Sequence, residues 1–190
     1  MSIPAIETRY AGCRFRSRLE ARWAVFFDAL DLEWQYEPQG FRVGHRAYLP
    51  DFYLPHSGTW VEVKGAESEL DHDLMLAAAE VLPHSGSGPT LLILGPIPEP
   101  PKGGDWAWLG FSVEGVGHGE TEVFDGWWGF GPLGILHAAA ETSTAGPVSA
   151  GRGDWLTPQL NMIRNIDPRV IRAYRDARSA RFEHGQRGAS

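Results

Sequence analysis

Between Ser17 and Leu94 the hydrophobic period runs from helix-like to strand-like and then does so again, an order that few folds accommodate. Leu19, Trp23, Phe26, Phe27 and Leu30 fall at i, i+4, i+7, i+8 and i+11, so the spacing predicts a helix over 17–32. Leu32, Trp34 and Tyr36 then alternate with polar residues up to Pro38, as a half-buried strand does. Further extended stretches are expected near 41–43 and 46–54, separated by a Gly-His turn, and again at 60–64 after the His-Ser-Gly turn at 56–58. Helical spacing returns at Leu70, Leu74, Ala77, Ala78 and Val81, and Thr90 to Leu94 is a short apolar run of the kind buried in a sheet. The order helix, three to four mixed strands, helix, strand defines an α/β core over 14–95.

Beyond that core the breaker-rich PIPEPPKGG closes the unit, and the Gly- and Trp-rich stretch at 105–140 is expected to form a small β subdomain. Residues 141–153 read as a linker, and 154–190 as a basic helical tail in which Asp167-Pro168 starts a helix. The chain has one cysteine, Cys13, which excludes an internal disulfide and a cysteine-based zinc site. The N-terminus lacks a signal-like apolar block and the longest apolar run, LLILG, is too short to span a bilayer. A cytoplasmic protein with no membrane partner is the expectation.

A net charge of −7 argues against a polyanionic partner until its distribution is considered. Residues 1–64 carry 8 basic and 8 acidic groups, residues 65–163 carry 2 and 13, and residues 164–190 carry 7 and 3. An acidic middle between arginine-bearing ends leaves room for a local phosphate-binding surface.

Chemistry concentrates in YLPDFYLPHSGTWVEVKG, residues 48–65. Alternation along Trp60 to Lys64 sends Glu62 and Lys64 to one strand face, about 7 Å apart. Asp51 lies across the turn at 56–58, so a hairpin returns it beside that face. Two carboxylates suit Mg²⁺, which takes oxygen ligands and shares them with phosphates, and an ammonium beside them orients or deprotonates an attacking water. Lysine usage sharpens the pattern: of 17 basic residues only Lys64 and Lys102 are lysines.

Pro50-Asp51, ten intervening residues, then Glu62-Val63-Lys64 resembles the signature of the PD-(D/E)XK nuclease superfamily. The resemblance covers 14–95 and extends to Glu20, on a helix that precedes the strands. It implies a restriction-endonuclease-like core, with Asp51, Glu62 and the Val63 backbone carbonyl as ligands of Mg²⁺, or of Mn²⁺ in its place. It further implies Lys64 positioning or activating water and Glu20 as a supporting catalytic carboxylate. The polymer it implies is DNA, with RNA the other option, and cleavage by a homodimer stays open. The YRDARSARFEHG run, residues 174–185, is similar to tails of phage and actinobacterial proteins that carry this module.

Plainer readings stand beside these. Glu62 and Lys64 also suit the wet face of an edge strand. Ser17-X-X-Glu20 is a capping box. Tyr53 and Trp60 fit a core better than a base-stacking platform, and Glu67, Glu69, Asp71 and Asp73 suit the positive end of the following helix. His56 and His72 lack paired metal-ligand spacing. Arg169, Arg172, Arg175, Arg178 and Arg181 recur every third residue and therefore wind round a helix, either as a solvated tail or as an arm along phosphates. A catalytically silent nucleic-acid-binding or assembly module on the same fold is the alternative function.

Overall fold

The computed structural model describes residues 7–86, 89–97 and 168–182, together with strand segments at 106–107, 110–115, 121–130, 136–138 and 161–162. It is a mixed α/β structure. A hairpin of β1 (Thr8–Tyr10) and β2 (Cys13–Phe15) leads into helix α1 (Arg18–Ala29). Then follow β3 (Gln35–Tyr36), a second hairpin of β4 (Phe41–Val43) and β5 (Arg46–Tyr48), and the pair β6 (Phe52–Leu54) and β7 (Thr59–Val63). A 3₁₀ turn at Glu67–Glu69 precedes α2 (His72–Val81), which returns the chain to β8 (Leu91–Leu94). Strands β9 (Trp106–Ala107), β10 (Gly110–Gly115), β11 (Thr121–Phe130), β12 (Leu136–Ala138) and β13 (Asn161–Met162) precede α3 (Pro168–Ser179).

Seven strands form one sheet in the order β12-β11-β10-β8-β7-β6-β3. Only β7 and β8 pair in parallel, with α2 as the connection between them, and every other neighbour is antiparallel. Because successive side chains point to opposite faces, Val61, Val63, Leu92 and Leu94 pack with α1 and α3, while Trp60, Leu91 and Ile93 pack with α2 and the β4–β5 hairpin. Helices thus cover both faces of the parallel pair, and all five residues of β7 are buried. Strand β7 lies between β6 and β8, which removes the edge-strand reading of Glu62 and Lys64.

Helix α1 starts where the capping signal places it: Ser17 is extended and its Oγ accepts from the Glu20 N–H at 3.2 Å. Trp23, Phe26 and Phe27 are fully buried, and Trp23 Nε1 donates to the Gly95 carbonyl at 2.9 Å, tying α1 to the end of β8. At α2 the acidic run does the work of a helix start, since Asp71 caps it through the Leu74 N–H at 2.9 Å. Among the described residues no helix is long and apolar enough to cross a membrane.

Three elements depart from the sequence reading. The extended stretch expected at 46–54 is two strands, β5 paired with β4 and β6 in the main sheet. The β1–β2 hairpin is an additional element. Its turn residues Ala11 (φ 48°) and Gly12 (φ 79°) are both left-handed, the geometry that matches strand twist in a tight hairpin. Helix α3 is not solvated all round: Val170, Ala173, Tyr174 and Ala177, at i, i+3, i+4 and i+7, form an apolar stripe buried against α1, while the five arginines stay exposed. The arginine row winds round the helix as its spacing requires, but this stripe lies in the gap it leaves. Residues 183–190 and the linker at 141–153 lie outside the described residues, whereas the Gly- and Trp-rich stretch contributes β9 to β12, of which β10 pairs with β8 and so continues the main sheet.

Candidate active site

The antiparallel register of β6 and β7 pairs Phe52 with Val61 and Tyr53 with Trp60, so one further step sets Asp51 opposite Glu62. Asp51 sits where the chain enters β6. Its Oδ2 accepts from the Val63 N–H at 2.7 Å, and its backbone carbonyl accepts from the Glu37 N–H at 2.9 Å. Asp51 and Glu62 are 6% and 5% exposed, a level at which carboxylates need partners. Glu62 has two: the Tyr48 hydroxyl donates to Oε2 at 2.9 Å and the Lys64 ammonium lies 2.6 Å from Oε1. These groups gather at the carboxyl end of β7, beside that of β8, where the Lys64 N–H donates to the Leu94 carbonyl at 2.9 Å. In open α/β sheets that end is the usual place for a ligand.

Glu20 reaches the same region from the first turn of α1 and is 7% exposed. The capping box is only half made. Ser17 Oγ accepts from the Glu20 N–H, but Glu20 Oε2 accepts from the Arg16 N–H at 3.1 Å and from the Tyr36 hydroxyl at 2.6 Å. Among the described residues nothing donates to Glu20 Oε1 or Asp51 Oδ1. Each carboxylate is therefore oriented through one oxygen with the other left over.

Electrostatics follow from three carboxylates around one ammonium. Burial, then the charges of Glu62 and Glu20, hold the Asp51 carboxyl well above the usual carboxylate range, although the Val63 N–H and Lys64 pull the other way. Burial works against the Lys64 ammonium, but Glu62, Asp51 and Glu20 outweigh it and raise its pKa, so the lysine stays charged. Tyr48 is pushed well above its ordinary value by burial and by Glu62, which keeps its hydroxyl a donor.

A consequence is measurable. The folded-state pKa of Asp51 is raised, so its contribution to stability is present below the unfolded carboxylate value of about 4 and is lost as pH rises through the folded value. Asp51→Asn keeps an acceptor for the Val63 N–H and removes the repulsion. In EDTA at neutral pH it is expected to be more stable than the parent by about 0.5–2 kcal/mol. That gain should shrink toward pH 4, as read by urea titrations across the range; a gain independent of pH would refute the electrostatic account.

Among the described residues no group of three or more His, Cys, Asp or Glu is placed so that it could hold a metal ion as it stands. The chemistry of the donor set is that of a hard divalent cation's ligands: all three acids offer oxygen, two of them an unclaimed one, and with all three ionised their charge would exceed that of Lys64 by two. His56 is exposed at the turn between β6 and β7, and His72 pairs with Glu67. Tyr53 stacks on the buried Trp60 with ring centroids 4.5 Å apart, as core residues do. All five arginines of the Arg169 to Arg181 row are exposed.

Sequence reasoning missed Tyr48, Tyr36 and Arg16. Tyr48 stands in the quoted stretch, three residues before Asp51, but nothing local says that β5 folds over Glu62. Tyr36 gave only a strand signal, while its hydroxyl is what turns Glu20 away from a full capping box.

No protein-family model matches this chain, no curated protein matches it, and no solved structure matches it. The functional reading therefore stands on residues and geometry.

Proposed function

We propose that this chain is a divalent-cation-dependent nuclease that hydrolyses phosphodiester bonds, with DNA as its polymer and a restriction-endonuclease-like core as its frame. The observation that carries the reading is the gathering of Asp51, Glu62 and Lys64 at the end of an interior strand, all three ionisable and two of them buried. Burying that set contributes little to packing. Replacing buried ion pairs by apolar residues is often neutral or stabilising, so its presence calls for a role other than stability.

Asp51, Glu62 and the Val63 carbonyl would hold Mg²⁺ or Mn²⁺, with Glu20 completing the acidic wall. The ion, when bound, would supply a Lewis acid for the phosphoryl oxygens and an acidified water. Lys64 would hold the attacking water by its ammonium and offset the charge that builds on the phosphoryl oxygens. Tyr48 and Tyr36, each donating to one carboxylate oxygen, would fix the orientation of Glu62 and Glu20 at the site.

The test is cleavage of single-stranded, duplex, flapped and branched DNA, and of RNA, by the purified chain with Mg²⁺ or Mn²⁺, alongside Asp51→Ala and Lys64→Ala. Loss in both variants supports the reading. Absence of any cleavage, with Mg²⁺ binding that Asp51→Asn does not weaken, moves the chain to the silent binding module.

A finer expectation concerns Tyr48. Tyr48→Phe deletes one hydroxyl and leaves Glu62 Oε2 without its donor. Loss of a group that orients a ligand lowers metal affinity by about 10–100-fold. Calorimetric titration with Mg²⁺ should show that drop, and cleavage should recover at higher Mg²⁺. Unchanged affinity would show that the hydroxyl serves folding alone.

A further inference from the structure

We infer that the exposed face of the β1–β2 hairpin is the surface along which a nucleic-acid backbone reaches the carboxylates, with Arg9, Arg14 and Arg16 as its phosphate contacts. The inference deepens the nuclease reading and rests on it for the class of polymer.

A polyanion approaching Glu20, Asp51 and Glu62 meets like charge, on a chain of net charge −7. A local source of positive charge must offset this. Residues 7–18 hold four arginines, at 9, 14, 16 and 18, and one acid, Glu7. The tight turn at Ala11-Gly12 sets the register so that Thr8 pairs with Phe15 and Arg9 with Arg14. Thr8 and Phe15 are buried, whereas Arg9 and Arg14 both face solvent. Directly opposed residues have Cβ atoms about 4.5–5.5 Å apart, where like charges repel and weaken the pairing. A hairpin needed only for its fold gains nothing from that juxtaposition, and phosphates would relieve it.

Arg14 does pair with Glu7, but the two side chains are 65% and 63% exposed, and ion pairs in that setting contribute little. Arg16 connects this face to the site. It lies two residues past Arg14, roughly 7 Å farther along an extended chain. Its N–H donates to Glu20 Oε2, and its guanidinium is held by Glu37 and feels the charge of Asp51. The arginines of α3 are placed less well. Arg178 is engaged with the Ile97 carbonyl, and Arg172 pairs with Asp176 on its own helix.

The experiment is fluorescence anisotropy of a labelled DNA strand and its duplex with the full chain in EDTA, over a salt series. Arg9→Ala/Arg14→Ala should weaken binding about tenfold or more, and reduce the slope of log affinity against log salt by about 2, one unit per arginine. Arg9→Lys/Arg14→Lys, which keeps the charges, should retain the parental slope. The inference is overturned if the parent binds no DNA, if the alanine variant keeps the parental slope, or if Arg169→Ala/Arg172→Ala takes the loss instead. Cleavage with Mg²⁺ separates the two readings. Expected slopes without cleavage leave the hairpin surface standing and remove the nuclease, whereas cleavage with unaltered slopes does the reverse.

Discussion

Lys64→Ala is expected to reduce Mg²⁺-dependent cleavage by about 10²–10⁴-fold, the range associated with one positioned group that handles protons or developing charge. Lys64 is 28% exposed and its ammonium contacts Glu62, so the variant should fold. Its loss leaves Asp51, Glu62 and Glu20 with no ammonium among them, which makes the acidic set bind a cation at least as readily while the chemistry fails. That split separates Lys64 from the ligands: Asp51→Ala should lose both Mg²⁺ binding and cleavage. Lys64→Arg should not restore the rate, because a planar guanidinium cannot take the place of a compact ammonium held 2.6 Å from Glu62. Single-turnover cleavage and Mg²⁺ titration on the three variants make the check. Full cleavage by Lys64→Ala would sink the assigned role.

Tyr174→Ala is expected to cost about 3–5 kcal/mol, the usual loss when a large buried aromatic is truncated. Tyr174 is 4% exposed, and its ring lies 4.5 Å from Phe26 and 6.5 Å, edge-on, from Trp23. Phe26 and Trp23 belong to α1, whose first turn carries Glu20, so α3 stabilises the helix that supplies the site's third carboxylate. Tyr174→Phe should cost much less, since the ring stays. Urea denaturation of the variants measures this directly. A loss below about 1 kcal/mol, in the range of surface substitutions, would mean that α3 does not dock as described.

Much of the site was legible because its signals are local. A proline-aspartate entry to a strand, a short turn and an alternating Glu-Val-Lys are read within one hairpin, and the alternation fixes which charges share a face. Ser17 as a cap and Trp23, Phe26 and Phe27 as a buried face follow from spacing along one helix in the same way. Tyr48 and Tyr36 were out of reach because their roles lie across 14 and 16 residues of chain. An aromatic in a strand looks the same in sequence whether its hydroxyl meets water or a buried carboxylate. The docking of α3 shows another limit: small residues such as Ala173 and Ala177 mark a close approach only when the partner helix is known.

By itself the sequence determined the change of hydrophobic period, and with it a mixed α/β chain, the hairpin that carries Asp51 toward Glu62, and the shared face of Glu62 and Lys64. Only the tertiary structure decided that β7 is an interior strand rather than an edge. Pairing with β8 depends on a crossover through α2, and that contact closes over distances no local pattern encodes. It also decided that Glu20, Tyr36 and Arg16 meet at the end of that strand, and that two opposed arginines of an unforeseen hairpin lead toward it. Periodicity reports which side of an element is buried, whereas only packing determines what lies on the other side.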